Sequence, residues 1–198
     1  MNTVRLFINK TFKRLRVFSQ LDMIATSLLR RKSELEGWAS VYVYPKNRIK
    51  VAKEASIHVV NGLLAFAKPW FEAKDNSLCE FEMEGDAKLE CEGSFDFVRG
   101  SRCVIKRGAS LRLGDGGRMG KGSNMECTTE IVIGKNCWIS DNVTVADAGK
   151  ILIEDGVWIG KGAQIIGNVK IGKNAVIGEG MKVTENVEQS VVFNGDCQ

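Results

Sequence analysis

Residues 131 to 183 read IVIGKNCWISDNVTVADAGKILIEDGVWIGKGAQIIGNVKIGKNAVIGEGMKV, and a six-residue ruler laid along them decides the fold. Aliphatic residues fall at Ile133, Ile139 and Val145 and then, after a two-residue slip, at Ile153, Ile159, Ile165, Ile171, Ile177 and Val183. Two places before each stands a second small or medium apolar residue: Ile131, Cys137, Val143, Ile151, Val157, Ala163, Val169, Ala175 and Met181. Apolar residues two apart imply a short strand with one buried face. Three places after most of the aliphatic positions comes Asn or Gly (Asn136, Asn142, Gly156, Gly162, Asn168, Asn174, Gly180, Asn186). These types tolerate positive φ and make corners. Short strands joined by such corners, with no helix between, bury their apolar side only by winding into a coil stacked on itself. Three six-residue sides give a triangular turn of about 18 residues.

Upstream the rhythm loosens. Alternating Cys79, Phe81 and Met83, then Leu89 and Cys91, Phe95 and Phe97, Cys103 and Ile105, and Leu111 and Leu113 read as strands. Cys79, Cys91 and Cys103 recur every twelve residues, a multiple of six, which places the thiols at inner positions and not in a metal site. Val51, Ile57, Val59, Leu63 and Leu64 read as a first coil over 48–67. Gly114-Asp115-Gly116-Gly117 lacks the Lys-Ser/Thr ending of a phosphate loop and reads as a wide corner.

The ladder Ile171-Gly-Lys-Asn, Ile159-Gly-Lys-Gly and Ile177-Gly-Glu-Gly resembles the hexapeptide repeat of left-handed parallel β-helix acyltransferases. The resemblance implies an all-β, left-handed parallel β-helix with an N-terminal amphipathic helical segment. The residue pattern divides the chain into a helical cap over 1–35, irregular coils over 48–130, regular coils over 131–186 and a tail over 187–198. The resemblance further implies a homotrimer with active sites between neighbouring prisms, acetyl-CoA as co-substrate and a sugar hydroxyl as acceptor. By position Trp158, Lys161, Glu179 and Thr184 line the cofactor wall. The family places a catalytic His in a Gly-His pair just before the regular repeats; here that stretch has Gly149-Lys150. Asp147 and Lys150 are therefore the nearest candidates for proton transfer.

The 198 residues contain a single His, His58, which excludes sites built on two or three imidazoles, carbonic-anhydrase-like zinc centres included. By the 18-residue period it lies about five coils, on the order of 24 Å, from the Asp147 corner, and it reads as an outward strand residue. Six cysteines without a C-x-x-C pair, and no signal-peptide pattern, read as reduced thiols of a cytoplasmic protein. Residues 1–32 carry eight Lys and Arg against one Asp, a local charge of 8 − 1 = +7, while the rest carries 20 − 23 = −3. Val4, Ile8, Phe12, Leu15 and Phe18 recur among the bases at helical spacing, so this segment reads as a cap for the coil or as a contact with anionic lipid at the membrane's inner face. The acidic remainder offers no continued basic path for nucleic acid. Outward columns Trp138–Trp158–Val176 and Val132–Leu152–Lys170 leave apolar surface for a second subunit or an elongated ligand to cover. The functional expectation is an O-acetyltransferase acting on a cell-surface polysaccharide or its precursor; the alternative is a catalytically silent scaffold of such a pathway.

Overall fold

In the computed structural model, which describes residues 21–69 and 75–194, parallel strands stack into a β-solenoid of about seven turns. Face 1 contains β3 (Asn47–Val51), β6 (Cys79–Met83), β9 (Arg102–Ile105), β12 (Asn124–Cys127) and β19 (Lys182–Val183), together with the first halves of β15 (Thr144–Ile153) and β17 (Gln164–Ile171). Face 2 contains β1 (Ser33–Glu36), β4 (Ser56–Val60), β7 (Lys88–Glu92), β10 (Ser110–Leu113), β13 (Glu130–Ile133) and the second halves of β15 and β17. Face 3 contains β2 (Ser40–Val43), β5 (Leu63–Lys68), β8 (Phe95–Val98), β11 (Gly117–Met119), β14 (Trp138–Ile139), β16 (Trp158–Ile159), β18 (Val176–Ile177) and β20 (Val192–Phe193). Because β15 and β17 run round one corner, faces 1 and 2 form one continuous sheet.

All nine aliphatic positions of the ruler are buried. The face 2 register Ile57↔Leu89↔Leu111↔Ile131↔Ile151↔Val169 advances by 32, 22, 20, 20 and 18 residues, so the coils tighten toward the C-terminal end. Side-chain volume follows coil size. Phe66, Phe81, Phe95 and Phe97 fill the wide coils, ring centroids 4.6–5.7 Å apart, whereas Ile, Val and Ala fill the narrow ones. Burying each large apolar side chain contributes about 1.5–3 kcal/mol. Cys79, Cys91 and Cys103 are inner residues, as the twelve-residue spacing implies; burial pushes all three thiols up, Cys91 to about 12.

Six expected corner residues have positive φ: Asn136, Asn142 and Asn174 at 54–58°, and Gly156, Gly162 and Gly180 at 70–71°. Asn168 and Asn186 serve differently. Their side chains accept hydrogen bonds from Lys150 N (3.2 Å) and Lys170 N (2.8 Å) of the preceding coil, and Gly167 at φ 105° turns the chain instead of Asn168.

Helix α1 (Met23–Lys32) starts at Asp22, whose carboxylate accepts from Ala25 N at 3.0 Å. Thr26 and Leu29 face inward, and Thr26 exchanges two hydrogen bonds with Val43. The helix thus closes the first coil. It ends at Lys32, short of the expected boundary at 35, because Ser33 already begins β1. The first coil consists of β1, β2 and β3, ahead of the expected start at 48; the start of β1 falls inside the expected cap, and β2 lies in the stretch 36–47, which no expected unit covers. At the other end the coil continues past 186, where a tail was expected, through buried Val187 and β20. The expected helical pattern over 4–18 lies outside the described residues.

Candidate functional site

The two-residue slip is the local event that builds the candidate site. Asp147 pairs with Gly167 and Ile151 with Val169, so four residues of β15 span what two span in β17, and the excess is taken up at Ala148-Gly149, where Gly149 has φ 143°. Asp147 is carried inward at this kink and is buried. Its Oδ1 accepts from Thr128 N (2.5 Å) and Thr128 Oγ1 (3.0 Å), and its Oδ2 from Thr129 N (2.7 Å) and Glu130 N (2.9 Å). A carboxylate has about four lone-pair sites, and here all are used. Asp147 therefore clamps the corner of the coil below and keeps no acceptor site for a substrate hydroxyl, which counts against the proton-transfer role expected of it.

Lys150 is placed differently. It is exposed, it follows the kink, and its Nζ lies 2.9 Å from Glu130 Oε2, while Arg112 bonds Glu130 Oε1. Hydrogen bonds from Lys150 and then Arg112 hold the Glu130 carboxyl below the usual carboxylate range. The kink thus displays a fixed ammonium on an ionised carboxylate. Sequence reading missed Glu130; stepping back one 20-residue coil from Lys150 finds it.

The expected cofactor residues are all exposed and occupy two corners and one face. Trp158 stands on face 3. Lys161 and Glu179 stand at the corner leading from face 3 into face 1, with Gly180 N donating to Lys161 O at 2.8 Å. Thr184 follows β19 at the corner leaving face 1, the corner type that also carries Asp147 and Lys150. Between the two corners lies the polar column Thr144–Gln164–Lys182. The corner glycines are bare: a Cβ added at Gly180 meets nothing within 4 Å, and one at Gly162 only the Gly180 Cα. An open backbone ledge flanked by a lysine suits the extended arm and phosphates of a CoA thioester.

On face 3 the outward column runs Asp96, Arg118, Trp138, Trp158, Val176, Val192. The Arg118 guanidinium lies 4.4 Å from the Trp138 ring centroid, and Trp158 Nε1 donates to Ser140 Oγ at 3.2 Å, fixing both rings. Trp138, Trp158 and Val192 remain 43%, 55% and 60% exposed. The Val132–Leu152–Lys170 column also forms as expected.

His58 is a half-exposed outward residue of β4, its Nε2 3.5 Å from Glu36 Oε2. It is four ladder steps from Leu152, about 19 Å and not five coils, because the lower coils are longer than 18 residues. Gly114–Gly117 is a corner, with Asp115 accepting from Ser94 N and Gly116 at φ 74°. Among the described residues no cluster of His, Cys, Asp and Glu could hold a metal ion, and no helix is long and apolar enough to cross a membrane.

A parallel β-helix with these corners and this six-residue core is similar, over part of its length, to hexapeptide-repeat acyltransferases. Residues 150–181 match the bacterial transferase hexapeptide family, described as six repeats. The galactoside O-acetyltransferase of Lactococcus lactis is 34% identical over 83 residues, covering 34% of this chain and 40% of that protein. The serine acetyltransferase of Salmonella typhimurium is 35% identical over 82 residues, covering 35% of this chain and 30% of that one. The chain thus spans well under half the length of these relatives. The solved structure of the polySia-specific acetyltransferase NeuO superposes with a TM-score of 0.42 at 18% identity, over 80% of this chain and 72% of that one.

Proposed function

We propose that this chain is an acetyl-CoA-dependent O-acetyltransferase that works as a homotrimer on a sugar of a cell-surface polysaccharide or its lipid-linked precursor, in the cytoplasm at the membrane's inner face. The observation that carries the reading is the apolar column Trp138–Trp158–Val176–Val192, its tryptophans fixed and exposed, beside bare glycine corners, with Trp158 and Val176 on the coils that match the transferase repeat. In the reaction the acceptor's hydroxyl oxygen bonds to the thioester carbonyl carbon, the carbon–sulfur bond breaks, and the hydroxyl proton leaves with the thiolate. Lys150, held by Glu130, supplies a positive charge where negative charge develops. Trp158, Lys161, Glu179 and Thr184 bind the CoA arm. Lys150 and Trp158 face different sides of one prism, so the complete site requires face 3 of one subunit against the kinked corner of another; this, together with the exposed tryptophans, supports the trimer.

A second reading, a silent scaffold of the same pathway, is favoured by the filled Asp147 carboxylate and the remote His58. Calorimetry with acetyl-CoA and thiol release with sugar acceptors separate the two, on the parent and on Lys150→Ala. The enzyme reading expects binding in both and turnover lowered about 10- to 100-fold in the variant. Binding without turnover in the parent selects the scaffold, and absence of binding refutes both roles for the wall residues.

A further inference from the structure

The end of the solenoid closed by α1 is as unusual as its flank. Four of the eight exposed large hydrophobic residues among the described ones, Met23, Ile24, Leu28 and Trp38, belong to α1 and the first coil, at 56%, 76%, 60% and 67% exposure. A helix that only capped the core would bury its apolar stripe; α1 buries Thr26 and Leu29 and turns Met23, Ile24 and Leu28 outward. Its last turn carries Arg30, Arg31 and Lys32, and it contains no acid. Asp22, at its start, is occupied by Ala25 N and Asn47 Nδ2, and of the two exposed acids that follow on β1, Glu34 and Glu36, the second lies 3.5 Å from His58 Nε2. Beneath the helix, Ala25, Leu28, Leu29, Ile49 and Val51 line a slot of about 270 Å³ with Lys32 at its rim. Lys32 is fixed there, its Nζ donating to Val51 O and Ala52 O.

From this combination we infer that the α1 end is a docking surface for an anionic bilayer, with Met23, Ile24, Leu28 and Trp38 entering the headgroup and acyl boundary and Arg30 and Arg31 against lipid phosphates. Charge complementarity selects the occupant: a second copy would bring the same cations against these, whereas an anionic leaflet neutralises them and takes up the apolar side chains. The slot accepts the end of an acyl chain. The inference deepens the membrane-side placement proposed above and is independent of the chemistry at Lys150, since it concerns the opposite end of the coil.

The test is co-sedimentation of the full chain with vesicles of phosphatidylcholine and phosphatidylglycerol, against vesicles of phosphatidylcholine alone, with molar mass from light scattering in parallel. The expected result is binding to the anionic vesicles only, weakened roughly tenfold or more by Ile24→Ser with Leu28→Ser and, separately, by Arg30→Glu with Arg31→Glu, at unchanged molar mass. These exposed positions leave folding intact, checked by circular dichroism. Equal binding to neutral vesicles, binding indifferent to both double variants, or a fall in molar mass in either of them overturns the inference, the last by revealing a second copy as the occupant. Acetyl transfer to a soluble sugar is measured on the same variants; its retention when lipid binding is lost keeps the two proposals separate.

Discussion

Replacing Asp147 by Ala separates a structural carboxylate from a reacting one. The substitution removes four hydrogen bonds at once and leaves the N–H groups of Thr128, Thr129 and Glu130 aimed at a void. Hydrogen bonds to a charged group contribute about 1.5–3 kcal/mol each when buried. Water reaches this corner, however, since Ala148 beside it is exposed. Taking roughly 1 kcal/mol for each of the three backbone donors after rehydration gives a loss of about 3 kcal/mol. For a chain of this size that lowers Tm by about 6–12 °C. Urea unfolding followed by tryptophan fluorescence, with calorimetric Tm alongside, measures it. An Asp147→Ala protein within about 0.5 kcal/mol of the parent would refute the clamp, and loss of turnover in such a folded variant would return Asp147 to the reacting centre.

Stacked corners leave no room at some glycines and ample room at others. A Cβ at Gly114 falls 2.6 Å from the Gly134 carbonyl carbon, so Gly114→Ala is expected to cost about 2–4 kcal/mol, whereas Gly108→Ala meets nothing and bears only its φ of 72°, about 1 kcal/mol; paired urea midpoints check the contrast. Glu84, Glu130 and Glu154 are each lowered chiefly by a lysine hydrogen bond, from Lys106, Lys150 and Lys170 in turn. Such groups contribute stability that is fully present above the ordinary carboxylate value of about 4 and is lost as pH falls through their lowered values. Tm measured from pH 7 downward should hold to about pH 5 and then fall, and a Tm that rises on acidification would contradict the ladder. Burial pushes Cys91 and Cys127 up to about 12 and raises Cys79, Cys103 and Cys137 as well, so these thiols should resist Ellman's reagent at pH 8 until urea is added.

The regular coils are legible in the sequence because a narrow turn leaves each inner position one side chain wide, which forces the strict spacing of Ile153 to Val183. Register arithmetic then places the outward columns, and Trp138 and Trp158 stand one above the other as that arithmetic requires. Legibility fails where coils widen. Phe66 and Phe81 fill the larger section of those coils, so spacing there drifts, and the start of β1 falls inside the expected helical cap. At the site, the sequence marks the kink through its slip but not the destination of each side chain. Asp147 looked available because polar corner residues are usually solvated; three backbone N–H groups of the coil below, invisible to any spacing rule, claim it. The partnership of Glu130 with Arg112 and Lys150 depends on coil lengths of 20 residues that only the register reveals.

The kink at 147–150 also says how such a molecule changes trade. Pairing is in step up to Asp147 and in step again from Ile151, so the added length is absorbed within one vertex and transmits nothing along the spine. Doubling the length of such an excursion costs only about 0.6 kcal/mol in closure entropy. Vertices are therefore evolutionary ports, where a reactive side chain can be inserted, exchanged or discarded while the spring beneath keeps its pitch; engineering an imidazole into this one is a matter of lengthening a bend, not of redesigning a core.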